Sequence, residues 1–116
     1  MGRNVVIIPF PVIKADSFFT RFKGLMFRKE PISNEGLWIL PCNAVHMFFM
    51  SFPLDIVLLN EQHNVVRCYP HLKPWTATKP EKRAHSTLEL PAGTISRLGI
   101  EIGNQIKFDV RLGKKD

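Results

Sequence analysis

Residues 36–59, GLWILPCNAVHMFFMSFPLDIVLL, hold one Cys, one His and one Asp in an otherwise almost wholly apolar stretch. A polar side chain drawn into apolar surroundings needs a hydrogen-bond partner, so Cys42, His46 and Asp55 mark places where something specific is built. His46 and Asp55, joined by Glu89 and by Arg21 or Arg28, make an Arg–carboxylate–His set that can hold a small polar ligand. The same residue types can support acid–base catalysis. The competing reading is a buried ion-pair network that braces strand ends. A second set, Cys42, His46, Cys68 and His71, supplies two thiols and two imidazoles, donors suited to zinc. Its spacing lacks the tight Cys pair of a zinc knuckle, and the plainer expectation is two core cysteines, a hydrogen-bonded His46 and a solvated His71. No metal site is therefore assigned.

A third group is cationic and aromatic. Lys73, Trp75, Lys79, Lys82 and Arg83 occupy one Pro-broken stretch that Tyr69 and His71 extend. Cations beside a stacking ring suit single-stranded nucleic acid; the alternative is a solvated loop with Trp75 anchored in the core. The chain carries 16 Lys and Arg against 10 Asp and Glu, a formal charge of +6, which permits weak attraction to nucleic acid. No Lys or Arg occurs between Lys29 and Arg67; the cations cluster on either side of the apolar segment. Ser-His-Asp order, a Gly-rich phosphate loop and a metalloprotease helix are all missing. Gly93, Gly99 and Gly103 are too far apart for a dinucleotide fingerprint. No catalytic residue and no cofactor are assigned.

The elements that must position these residues are short. Asn4 to Phe10 reads as a strand stopped by Pro9 or Pro11. Ala15 to Phe22 reads as a helix capped by Asp16 or Ser17, with Phe18, Phe19 and Phe22 on one face. Gly36 to Leu40 and Ala44 to Met50 read as strands; in the second, His46, Phe48 and Met50 would share one face. Asp55 to Asn60 and Val65 to Tyr69 form a hairpin across the polar turn between them. Pro70 to Arg83 is a long basic loop. Ser86 to Leu90 is a strand, Gly93 to Gly99 a turn or single helical turn, and Gln105 to Leu112 the last strand.

With 116 residues, 45% of them hydrophobic and 22% charged, residues 1–116 form one ordinary globular domain. Nine Pro and seven Gly favour short strands over long helices. Two cysteines make no disulfide framework, and no apolar run reaches the length of a membrane span. A cytoplasmic address is the default expectation. The fold expected is mainly β with a minor α component: a small, barrel-like antiparallel or mixed sheet with one or two short helices.

The strings RFKGLMFR (Arg21 to Arg28), PCNAVHMFFMSFPLDIVLL (Pro41 to Leu59), KPW (Lys73 to Trp75) and HSTLELPAGTISRLGIEIGN (His85 to Asn104) resemble the DUF192 family, COG1430. The resemblance runs from about Ala15 to Phe108. It implies a compact, β-dominated fold with short helical pieces and leaves activity open. The family's recurring pattern falls on Arg21, Gly24, Leu25, Met26, Arg28, His46, Phe49, Met50, Pro53, Asp55, Glu89, Leu90, Pro91, Gly93, Gly99 and Gly103. One departure is Asn104, where members commonly carry Asp; a turn position accepts either. The function expected is ligand binding or an accessory role through a polar pocket around His46, Asp55 and Glu89. The alternatives are nucleic-acid binding through the basic surface and a small hydrolase-like or other enzyme.

Overall fold

The structure, a computed structural model, describes residues 4–15 and 29–112. Its strands are β1 (Val5–Ile7), β2 (Val12–Ala15), β3 (Gly36–Ile39), β4 (Leu54–Leu59), β5 (Val65–Leu72), β6 (Ser86–Pro91), β7 (Gln105–Lys107) and β8 (Val110–Leu112). The helix α1 is one short piece, Thr94–Leu98. Six strands form a sheet in the order β5-β4-β6-β3-β2-β8, and β1 pairs with β7 in a separate ribbon.

The expectation of a barrel-like sheet is overturned. β5 and β8 stand at the two ends of the six-stranded sheet and do not pair with each other, so among the described residues no sheet closes. The cause is long-range pairing. β2 runs parallel to both β3 and β8, and β1 runs parallel to β7, while β4 is antiparallel to both of its neighbours. Parallel partners cannot be joined by a tight hairpin, so local patterning says nothing about them.

The centre of the sheet is buried on both faces. All six residues of β4 are buried, and their side chains alternate between two hydrophobic clusters. Leu54, Ile56 and Leu58 join Leu37, Ile39, Val45, Met47, Met50 and Phe52 on one face. Val57 and Leu59 join Val12, Leu88, Leu90, Ile95, Ile100 and Ile106 on the other. Loop 42–52 covers the first face; α1 and the segment after it cover the second. Burying a Leu or Ile side chain contributes about 2 kcal/mol, so this strand is the main anchor of the domain.

Several elements differ from the pattern read in the sequence. β2 occupies Val12–Ala15, directly after Pro11, where no strand is expected; of the helix expected over Ala15 to Phe22, Ala15 belongs to β2 and the rest falls outside the described residues. Ala44 to Met50 is not a strand. It makes one isolated bridge, His46 with Ala77, and Phe49 turns through a positive φ of 65°. Met47 and Met50 are both buried while Phe48 and Phe49 are exposed, a spacing no two-residue alternation can give. The last strand is divided: β7 pairs with β1, β8 with β2, and Phe108-Asp109 steps between them.

Candidate functional site

The register of β4 against β6 separates the two carboxylates. Asp55 is paired with Leu90 and Ile56 with Glu89, so Asp55 and Glu89 point to opposite faces of the sheet. Both side chains are fully buried.

Asp55 holds backbone. Its Oδ1 accepts the His71 N–H at 2.8 Å, and its Oδ2 accepts the N–H groups of Gly93 at 3.1 Å and Ile95 at 2.8 Å. Gly93 caps α1 with φ 96°, a left-handed conformation that suits glycine, and no side chain of its own turn caps the helix. Asp55 takes that role from the neighbouring strand, satisfying two of the donors a helix start leaves open. Three bonds on one carboxylate tie β4 to β5 and to the start of α1. The Asp55 charge also acts on Cys68: burial first, and that charge second, push the Cys68 thiol up to about 11.

Glu89 lies on the other face, opposite Leu37 and Ile56, beneath the cluster that Val45, Met47 and Met50 complete. His46 belongs to the covering loop and is half-buried. Its Nδ1 accepts the Phe48 N–H at 3.3 Å, and its ring stacks on Phe48 with centroids 4.8 Å apart and planes 27° apart. The stack continues: Phe48 lies against Trp75 at 6.2 Å and 29°, and Phe49 meets Trp75 edge-on at 4.9 Å. The backbone fixes this arrangement, because Trp75 N–H donates to Met47 O at 2.7 Å and Thr78 N–H to Val45 O at 2.9 Å. Phe48, Phe49 and Trp75 are 41%, 45% and 61% exposed, so Trp75 is not the core anchor that a bland basic loop would need. The sequence points to Trp75 as a stacking ring, but not to its assembly with His46, Phe48 and Phe49 into one face. The signal for an exposed ring was present in Trp75 lying between Lys73-Pro74 and a polar Thr-Ala-Thr run, a poor setting for burial.

The remaining expected residues scatter. Arg21 and Arg28 lie outside the described residues. Cys42 packs against the first cluster and Cys68 against the second, and both thiols are free. Cys42 donates to Ala44 O at 3.1 Å, and His71 contributes its backbone to Asp55 with its side chain exposed. Among the described residues no three His, Cys, Asp or Glu side chains come together as metal ligands. An open cleft of about 240 Å³ lies between Pro41, Cys42, Asn43, Ala84 and His85, away from both carboxylates. Of the basic set, Lys73, Lys79, Lys82 and Arg83 are exposed. Arg83 is held by Glu81 at 3.0 Å, and their hydrogen bond raises the Arg83 pKa and lowers that of Glu81.

The model of the DUF192 family, described as Uncharacterized ACR, COG1430, matches residues 4–108. The chain belongs to the DUF192 family. Similar proteins include a UPF0127 protein of Thermococcus sibiricus, 37% identical over 102 residues, covering 83% of this chain and 64% of that one. Another is a UPF0127 protein of Pyrococcus furiosus, 35% identical over 100 residues, with 82% and 84% covered. The chain thus spans under two thirds of the length of the first relative. A solved structure of a Novosphingobium aromaticivorans protein of unknown function superposes with a TM-score of 0.67 at 30% identity, covering 79% of this chain and 70% of that one. A Sinorhizobium meliloti structure, at 21% identity and a TM-score of 0.65 over 87% and 76% of the two chains, shares the fold. Among the described residues no helix of this DUF192 chain is long and apolar enough to cross a membrane. Asn104, the departure from the family pattern, accepts the Glu101 N–H at 2.8 Å through its Oδ1, a bond an Asp oxygen makes equally well.

Proposed function

We propose that this DUF192 domain is a binding or accessory domain and that its contact surface is the ring face of His46, Phe48, Phe49 and Trp75. The observation that carries the reading is the continuity of that face: three exposed aromatic side chains and one imidazole in mutual contact on a loop pinned by backbone hydrogen bonds. Exposed rings held in place bind flat or apolar groups at small entropic cost, because little is left to order. A polar pocket joining Arg21, Arg28, His46, Asp55 and Glu89 has weaker support, since Asp55 and Glu89 face opposite sides of the sheet and Asp55 is occupied by backbone. In this reading His46 serves as part of the ring face.

The test is a carbon-detected NMR titration of the aromatic side chains. The probes are adenosine monophosphate, maltose, a proline-rich decapeptide and a twelve-nucleotide oligonucleotide. Saturable shifts centred on His46, Phe48, Phe49 and Trp75 with at least one probe are expected, and Trp75→Ala removes them. Shifts centred on the Cys42–His85 cleft instead, or none with any probe, overturn the reading.

A further inference from the structure

Resting on that contact face, we infer that its ligand is a single-stranded nucleic acid, bound by stacking on the rings and by phosphate contacts with Lys73 and Lys79. The segment that bears Trp75 carries charge of one sign. From Gln62 to Pro80 the chain carries Arg67, Lys73 and Lys79 and no Asp or Glu. Exposure alternates along the segment that bears Trp75: Lys73, Trp75, Ala77 and Lys79 are exposed, while Pro74, Thr76 and Thr78 between them are half-buried. The exposed tryptophan is therefore bracketed by two exposed ammonium groups.

Tyr69 and Arg67 continue the same chemistry along β5. Their partners Ile56 and Leu58 belong to the cluster that loop 42–52 covers, so both lie on that face of the sheet, with the Arg67 guanidinium 5.2 Å above the Tyr69 ring. Arg83 is already engaged by Glu81, and of the exposed lysines Lys73 and Lys79 are the two that flank Trp75 in the chain.

This combination selects among ligands. A neutral sugar uses the rings but has no need of the lysines. A duplex uses the lysines, but its bases are stacked on one another and unavailable to Trp75. An acidic peptide uses the charge and leaves the tryptophan without a flat partner. A single strand uses both: its unpaired bases offer π faces and its backbone a line of negative charge. The imidazole at the end of the stack adds a further ring, which suits a strand several bases long.

Fluorescence anisotropy of the full chain with a labelled oligonucleotide of about twelve residues, as dT and as U, tests this at low salt. Saturable binding is expected, weakened about tenfold or more by Trp75→Ala and by Phe48→Ala in proteins whose circular dichroism is unchanged. The double variant Lys73→Ala/Lys79→Ala lowers the salt slope of log K by about 1.4, while Lys107→Ala, on the remote ribbon, leaves affinity in place. A hairpin duplex of equal charge binds less tightly, and polyglutamate does not compete. Equal competition by polyglutamate, or full binding by Trp75→Ala, overturns the inference by making the surface a charge patch or an acidic-peptide site. Absent oligonucleotide binding also overturns it. If the ring signals still respond to another probe in the NMR titration, the contact face stands and only the ligand class falls; if they respond to none, both fall.

Discussion

Around Asp55 the structure has filled every role the side chain offers, whereas around His46 it has left ring surface facing solvent. Asp55 is fully buried and its two oxygens accept three backbone N–H groups from two segments, β5 and the start of α1. His46 is half-buried and heads a stack whose outer members, Phe48 and Trp75, are open to water. The two residues are equally conspicuous as polar points in an apolar run, yet one organises the fold and the other a surface. What tells them apart is satisfaction: a buried carboxylate with its lone pairs used is structural, while exposed apolar rings stabilise nothing by themselves.

Substitution at Asp55 gives the largest effect that this contrast predicts. Asp55→Ala removes the acceptor of three backbone donors, the Ile95 N–H buried and those of His71 and Gly93 part-buried, and costs about 4 kcal/mol in urea unfolding. Asp55→Asn costs less, because one carbonyl oxygen remains to accept. Trp75→Ala and Phe48→Ala cost at most about 1 kcal/mol, as exposed positions do; a reversed ranking would break the contrast outright. Next comes Gly93→Ala, about 1–2 kcal/mol, because a Cβ at φ 96° strains the turn whose N–H meets Asp55. In iodoacetamide labelling of the native protein, Cys68 stays slow until the pH nears its raised value of about 11. Fast labelling at neutral pH contradicts the burial that, ahead of the Asp55 charge, raises this thiol.

The smallest effect is a pH dependence at His63. Burial, and secondly the His85 charge, lower its pKa from 6.5. Below 6.5 the unfolded chain takes up this proton more readily than the folded one, so the contribution to stability is complete above that value. It is lost as the pH falls through the folded-state value. The ring is stacked on Phe108 at 5.3 Å and edge-on to Trp38 at 5.2 Å, so His63→Phe keeps the packing and flattens that part of the stability curve.

Five of the strands, β1 within the stretch Asn4 to Phe10 among them, could be read directly from the chain. Gly36–Ile39, Leu54–Leu59, Val65–Leu72 and Ser86–Pro91 are short Val, Ile and Leu runs bounded by Pro or polar turns, and the β4–β5 hairpin follows from the turn at Asn60. Val12–Ala15 was hidden by Pro11 before it and by Lys14 within it. Ala44 to Met50 misled because Phe and Met at every position fit a strand as well as a loop; the positive φ at Phe49 has no local signature in that run. At the site, the residue types were legible and their sides were not. Glu89 could be placed away from Leu88 and Leu90, but only the β4–β6 register tells whether Asp55 shares its face. An open sheet instead of a barrel follows from partners far apart in sequence, which no window of residues contains.

Those distant partners carry a consequence for how the protein is made. β1 is completed by β7 and the β2 edge by β8, so Val5 waits for Gln105 and Val12 for Val110. On the ribosome β4 can pair with β5 and β6, and β2 with β3, as they emerge, while β1 and the outer edge of β2 stay unpaired until β7 and β8 have left the exit tunnel. Such long-range closure slows folding and prolongs exposure of strand edges. Premature termination anywhere before β7 therefore releases a polypeptide with sticky, unzipped ends, a substrate for chaperones and proteases before it is a working domain.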